Sequence, residues 1–317
     1  MTVTASLGFG NVAVGQTLTS TVTIYNTGAT HPLIVSSAIA SDSEYTLSGT
    51  GTCGAIPITV APKANCTMGV SFTPDAVGAH SASLTLSDNT TTSPQHVSLT
   101  GTGIAGLTLT KSSLVYGDVE FGATGVNVFS VVNNQTQPVT LTESFSGTNF
   151  ADFTITGGSC TGTLAAKTAC SITVTFTPSV LGTESATLSV ADSPDPMSPY
   201  PVDITTGPTI PATVLPATLA YGTLTARVPS KTLNTTVTNK SPFSLPLGES
   251  IISSPNSSDF AVTGGTCTAT ASPNASCTIA VTFTPTAGGS SESASMAVTI
   301  GNDPTSPHNI TLTGTGP

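Results

Sequence analysis

A pentapeptide returns three times in this 317-residue chain, as Val70-Ser71-Phe72-Thr73-Pro74, Val174-Thr175-Phe176-Thr177-Pro178 and Val281-Thr282-Phe283-Thr284-Pro285. Cysteines keep the same beat, with Cys53, Cys160 and Cys267 each 107 residues from the next. So does an aromatic-glycine pair near the start of each copy, Phe9-Gly10, Tyr116-Gly117 and Tyr221-Gly222. Three landmarks sharing almost one period mark tandem structural repeats, and about 100 residues suffice for each copy to bury its own core. The expected domains are therefore 1–103, 104–208 and 209–317, joined by Gly103-Ile104-Ala105-Gly106 and Pro208-Thr209-Ile210-Pro211. Both junctions are short and two prolines stiffen the second, so the expected arrangement is an elongated rod.

Within each copy the apolar residues alternate at period two, as in strands with one buried face. Leu18, Val22 and Ile24 share a face, as do Met68, Val70 and Phe72, then Ala82, Leu84 and Leu86. Ile172, Val174, Phe176 with Ala186, Leu188, Val190, and Ile279, Val281, Phe283 with Met296, Val298, Ile300, are the counterparts. A short strand around Val97-Leu99, Val202-Ile204 or Ile310-Leu312 closes each copy. The pattern predicts an all-β chain of three tandem immunoglobulin-like β-sandwiches of about seven strands each. The proline after each Phe-Thr pair ends a strand, because it has no N–H for the ladder.

The six cysteines fall two per repeat: Cys53 and Cys66, Cys160 and Cys170, Cys267 and Cys277. That partition predicts one local disulfide per domain, a hairpin staple between adjacent strands, in an oxidising extracellular or cell-surface compartment. A metal site needs more ligands at short spacing than two cysteines without nearby histidine supply. There is no tryptophan, so these are not antibody-type domains with a Trp packed on an inter-sheet bridge.

Each copy resembles the bacterial immunoglobulin-like repeats related to the abnormal-spindle and hydin (ASH-type) domains of choice-of-anchor D type proteins. The resemblance rests on Phe9-Gly10-Asn11-Val12-Ala13-Val14-Gly15, on Tyr25-Asn26-Thr27-Gly28, on the cysteines with Phe-Thr-Pro, and on Leu99-Thr100-Gly101-Thr102-Gly103. It implies a secreted or surface-exposed bacterial protein whose repeats serve as scaffolding. Two departures stand out. Arg227 occupies the place of Gly15 and Gly122, and repeat 2 ends Thr205-Thr206-Gly207 without the second glycine.

Six Lys+Arg against sixteen Asp+Glu give a formal charge of -10, which excludes a phosphate-binding surface for nucleic acid. No apolar run is long enough to cross a membrane, and residues 1–7 lack the basic and apolar regions of a signal peptide. His31, His80, His96 and His308 do not recur at equivalent positions, so no catalytic site, cofactor or metal is expected. Asp192, Asp195 and Asp203, with Asp88 and Asp303, sit near loops, where Asp192-Ser193-Pro194-Asp195-Pro196 reads as a proline-fixed turn rather than a calcium loop. Asn-x-Ser/Thr sequons occur at Asn65, Asn89, Asn134, Asn234, Asn239, Asn256, Asn274 and Asn309, as expected in so Ser/Thr-rich a chain.

The first 62 residues contain no Lys or Arg, although open sheet edges are usually guarded by charge. The expected function is a non-enzymatic structural repeat protein, either a rigid spacer or a self-assembling filament or surface-layer subunit. Its partners are further copies of itself or neighbouring domains of a larger surface protein. The alternative is adhesion to a glycan or protein through sandwich loops.

Overall fold

In the computed structural model, which describes residues 1–193, 195–224, 232–252, 257–286 and 291–316, strands account for nearly all regular structure. Arg227 and Asn256 lie outside the described residues. The first unit comprises β1 (Thr2–Val3), β2 (Ser6–Ala13), β3 (Leu18–Tyr25), β4 (Leu33–Ala40), β5 (Tyr45–Gly51), β6 (Ile58–Val60), β7 (Asn65–Phe72), β8 (Gly78–Asp88) and β9 (Gln95–Ile104). Seven are long, and the two short ones, β1 and β6, lie at sheet edges.

These strands form a four-stranded sheet, β1-β3-β7-β5, and a five-stranded sheet, β2-β9-β8-β4-β6. Both orders repeat in the second unit, from Leu107–Leu109 to Tyr200–Thr206, and in the third, from Ala212–Leu215 to His308–Thr315. The chain is thus three sandwiches of one topology. Most alternating residues face inward as their period requires: Val22, Ile24, Val70, Phe72, Leu84, Leu86, Val97 and Leu99 are all shut off from solvent, whereas Leu18, at the start of β3, is exposed.

Each core is centred on three rings. Phe9, Tyr45 and Phe72 meet in the first unit, Tyr116, Phe153 and Phe176 in the second, Tyr221, Phe260 and Phe283 in the third. In every unit the Phe of Phe-Thr-Pro stacks on its direct cross-strand partner, with centroids 4.7, 5.0 and 4.7 Å apart. Such a pair adds about 0.5–1.5 kcal/mol beyond the area it buries. A Cβ at Gly101 or Gly314 would stand 2.3 or 2.2 Å from that Phe ring, so the glycine makes room for the stack.

The three cysteine pairs are bonded, Cys53–Cys66, Cys160–Cys170 and Cys267–Cys277, with Cα–Cα distances of 4.9, 4.9 and 4.8 Å. Each bridge joins β7, or its counterpart, to the end of its neighbour in the four-stranded sheet. The segment between the cysteines is not a hairpin, however. In the first unit it leaves for the opposite sheet, where Ile58 and Val60 are buried and pair with Val35 and Leu33. Thr163–Leu164 and Thr270–Ala271 make the same excursion. The apolar pair gains burial there that it would lack in an exposed turn, and the disulfide closes the ring behind it.

Sequence pattern also overlooked a clamp of buried asparagines. Asn26, Asn133 and Asn239 end equivalent strands at 5%, 0% and 1% exposure. Asn133 donates from Nδ2 to the carbonyls of Gln137, Leu164 and Ala165, and its Oδ1 accepts from the Gln135 N–H. Asn26 and Asn239 repeat the arrangement on their own loops. Opposite each clamp a residue takes positive φ, Lys63 at 61°, Lys167 at 59° and Asn274 at 51°.

The last strand of each unit runs parallel to the first strand of its own sheet. In the first unit, Asn11, Val12 and Ala13 pair with Thr102, Gly103 and Ile104, and the Val14 N–H donates to the Ile104 carbonyl. At the second junction the Phe121 N–H donates to Ile210 O and the Ile210 N–H to Val119 O. Both junctions are thereby bonded to the unit they leave.

Candidate functional site

The end of the sandwich from which the chain leaves each unit carries a polar cluster built on the Phe-Thr-Pro turn. The N–H of Thr73, Thr177 or Thr284 donates to the carbonyl of Glu44, Asp152 or Asp259, holding an acidic residue at the same place in every unit. The residue after each Pro then contacts that carboxylate. Asp75 N–H donates to Glu44 Oε1 at 2.8 Å, Ser179 donates through N–H and Oγ to Asp152 at 3.1 and 2.7 Å, and Thr286 does likewise to Asp259. Five or six residues further on, the chain adds a third member: His80, Glu184 or Glu292.

In repeat 1 the third member is a base. His80 Nδ1 lies 2.7 Å from Glu44 Oε2, and Nε2 lies 2.9 Å from the Ala76 carbonyl. An acceptor at each ring nitrogen favours the doubly protonated imidazolium. The Ala76 carbonyl and the Glu44 and Asp75 carboxylates raise the His80 pKa against the opposing effect of burial.

In repeats 2 and 3 the third member is a second acid. Glu184 and Glu292 are both 2% exposed, and no described residue closes a well-formed hydrogen bond to their oxygens, although the Val180 N–H lies near enough to Glu184 to ease its charge. Their partners are Asp152 and Asp259. Burial first, then the neighbouring carboxylate, pushes Glu184 up to about 8 and Glu292 up to about 7. Burial also presses Asp259 upward, but bonds from Glu292, Thr286 and Ser258 outweigh it and leave the pKa below the ordinary value. Burial beside a second carboxyl favours the neutral, protonated form of each Glu.

Of the other acidic residues, Asp192 and Asp195 are buried close to each other beside Gln135 and Tyr200, and Asp203 stays apart. Asp192 accepts from Gln135, Asp195 from the Met197 N–H and the Tyr200 hydroxyl, and Asp203 is exposed on its strand. Asp195 and Asp303 cap turns that end at a serine whose hydroxyl takes the N–H of Asp192 or Ile300. Pro194 of the first turn lies outside the described residues. This turn instead supports the junction from repeat 1: Pro196 faces Gly15 and Asp195 faces Gly106.

The four histidines stand apart, with His31 and His96 on threonine hydroxyls, His80 on Glu44 and His308 on Asp303. Glu44, Asp75 and His80 bring ligand-type atoms within 4.8 Å of one another, but Glu44 and His80 already use theirs in hydrogen bonds and Asp75 is exposed. Of the sequons, Asn239 is buried in its clamp, and Asn134 donates to the Ala105 carbonyl and Thr108 hydroxyl beside the first junction. Asn65, Asn89, Asn234, Asn274 and Asn309 are exposed.

At the second junction the Phe121 ring packs on Phe243 at 6.3 Å, Lys240 pairs with Glu120, and Leu181 packs against the core of the third unit. No helix among the described residues is long and apolar enough to cross a membrane.

The family described as Cep192 domain 4 matches residues 2–104. That match agrees with the ASH-type, immunoglobulin-like sandwich of the first unit. Among solved structures, the ASH/PapD-like domain 7 of human CEP192 is 15% identical, covering 32% of this chain and 84% of its own, with a TM-score of 0.27. The I9-I11 tandem from titin is 12% identical over 97% of this chain and 95% of its own, with a TM-score of 0.32. A protein of unknown function from Porphyromonas gingivalis W83 is 12% identical over 67% of this chain and 100% of its own, with a TM-score of 0.27. No curated protein matches the chain.

Proposed function

We propose that this chain is a rigid extracellular spacer, a structural module that holds other parts of a surface assembly at a fixed distance and performs no chemistry of its own. The observation that carries this reading is the treatment of the junctions. Residues 102–104 and 210 are hydrogen-bonded to the unit they leave, while Phe121 with Phe243 and Glu120 with Lys240 join the second unit to the third. A linker bonded along its length keeps little freedom to swing. The disulfides support an oxidising environment outside the cell.

Lateral self-association into a filament or surface layer is the stronger form of the same reading. The edge strands Tyr45–Gly51, Phe153–Gly158 and Phe260–Gly265 contain no charged residue, and each is interrupted by a register shift. These edges therefore lack the charge that usually keeps a second copy from pairing with an open strand.

Small-angle scattering with negative-stain electron microscopy of the purified chain tests both forms. Straight rods three sandwiches long support the spacer, and ordered polymers support the assembling subunit. A broad distribution of bent shapes overturns rigidity. A reproducible glycan-array signal from isolated rods points instead to an adhesin.

A further inference from the structure

We propose that each repeat is closed at its exit end by a proton-binding clasp: an imidazolium on a carboxylate at His80–Glu44, and one proton shared between two carboxyls at Glu184–Asp152 and Glu292–Asp259. The ligand of these sites is the proton itself, and the three sandwiches are built to be most stable in mildly acidic surroundings.

The geometry that carries this is threefold. The acidic member is fixed in every unit by the same backbone bond from the Thr of Phe-Thr-Pro, and the third member lies opposite Gly101, Thr206 or Gly314 on the last strand. Both Glu side chains are buried and no described donor closes a well-formed hydrogen bond to their oxygens, the Val180 N–H offsetting only part of the cost at Glu184, so a charged Glu would stand poorly solvated against a charged Asp. In repeat 1 the same place holds a base with an acceptor at each nitrogen, so that clasp also requires its proton.

The surrounding elements offer no alternative counter-charge. Around Glu184 lie the turn 178–183, which has no charged residue, Thr206 on the last strand, whose hydroxyl accepts the Glu184 N–H, and Asp152. Asp118, against Gly207 just past Thr206, is negative as well. Around Glu292, Asp259 is the titratable group that acts on it among the described residues, and residues 287–290 lie outside them. Around His80 the charges are Glu44 and Asp75.

The folded protein therefore holds protons that the unfolded chain releases, and stability falls with rising pH wherever the two differ. For Glu292 that window runs from the ordinary 4.5 to about 7. For Glu184 it runs from 4.5 to about 8. For His80 it lies above the ordinary 6.5, in the same direction. The lowered Asp259 acts oppositely and only at the acid end, so the optimum falls on the acid side of neutrality.

Glutamine is the neutral mimic of protonated Glu and can donate to Asp as the acid does. In calorimetry of the full chain, Glu184→Gln and Glu292→Gln should each raise the transition of their own repeat by about 5 °C at pH 9 and leave it nearly unchanged at pH 5. Glu249→Gln, on an exposed strand residue, removes the same charge and should show no such pH-dependent gain. Equal effects at both pH values, or the same gain from Glu249→Gln, would overturn the clasp. So would a calcium-dependent rise in the wild-type Tm at pH 9, which would make the carboxyl pairs cation sites. Infrared spectra of the unmutated chain supply an independent reading: protonated-carboxyl absorption should persist at pH 6 and fade by pH 9, and its absence at pH 6 refutes the proposal.

Discussion

Repeats 1 and 3 share the ring stack, the asparagine clamp, the disulfide and the sheet order, yet they close the same end of the sandwich with opposite chemistry. One uses His80, which gains a charge when it takes up its proton, and the other Glu292, which loses one. Repeat 2 follows repeat 3 in its acid pair but has Thr206 where the other two have Gly101 and Gly314. The interior is held nearly constant because a ring displaced there costs several kcal/mol, whereas the clasp tolerates different residues provided a proton completes it. What the three ends share is a protonation requirement rather than a residue.

The largest effect tests the claim of a common interior. Phe72→Ala, Phe176→Ala and Phe283→Ala should each cost their repeat about 4 kcal/mol, measured by urea unfolding. A repeat that loses only a fraction of this would not share the stack. Reducing the disulfides should cost about 3 kcal/mol per domain and lower all three transitions together, because the closed segments of 13, 10 and 10 residues are alike. Asn133→Ala removes the donor shared by the Gln137, Leu164 and Ala165 carbonyls, of which Ala165 keeps Thr168, and the acceptor of the Gln135 N–H, and about 2 kcal/mol should be lost, read as faster hydrogen exchange at Gln135.

Next comes the substitution that converts one end into the other. His80→Glu should give repeat 1 an acid pair like those of repeats 2 and 3, with a Tm about 5 °C below wild type at pH 8 and a smaller deficit at pH 5. A pH-independent deficit would mean that packing, rather than protonation, distinguishes the repeats. Lys240→Ala should change stability by no more than about 0.5 kcal/mol, since both partners of its ion pair with Glu120 are over a third exposed. Scattering curves should show whether it nonetheless alters the angle at the second junction.

The repeat, its alternating faces and the pairing of cysteines were legible in the sequence because each is a constant letter at a constant spacing. The third ring was harder to find. Tyr45, Phe153 and Phe260 open short glycine-ended strands, and only the cross-strand register brings them onto the Phe of Phe-Thr-Pro. The excursion of Ile58–Val60 to the opposite sheet was hidden by its length, since three residues are too few for a period to show. Least legible was the clasp. Its members lie on three separate segments and change identity between copies, from Glu44, Asp75 and His80 to Asp152, Ser179 and Glu184. Four histidines at inequivalent places suggest no pattern until one of them is found where the other copies carry Glu.

In every unit the last strand lies parallel to the first strand of its sheet. Tension applied between the two ends of a sandwich therefore draws those strands past each other lengthwise. The hydrogen bonds between them lie across the pull and must yield as a group, where an antiparallel edge pair loaded at one end would open one bond at a time. The ladder that ties each junction down thus also makes each unit a link suited to bearing load.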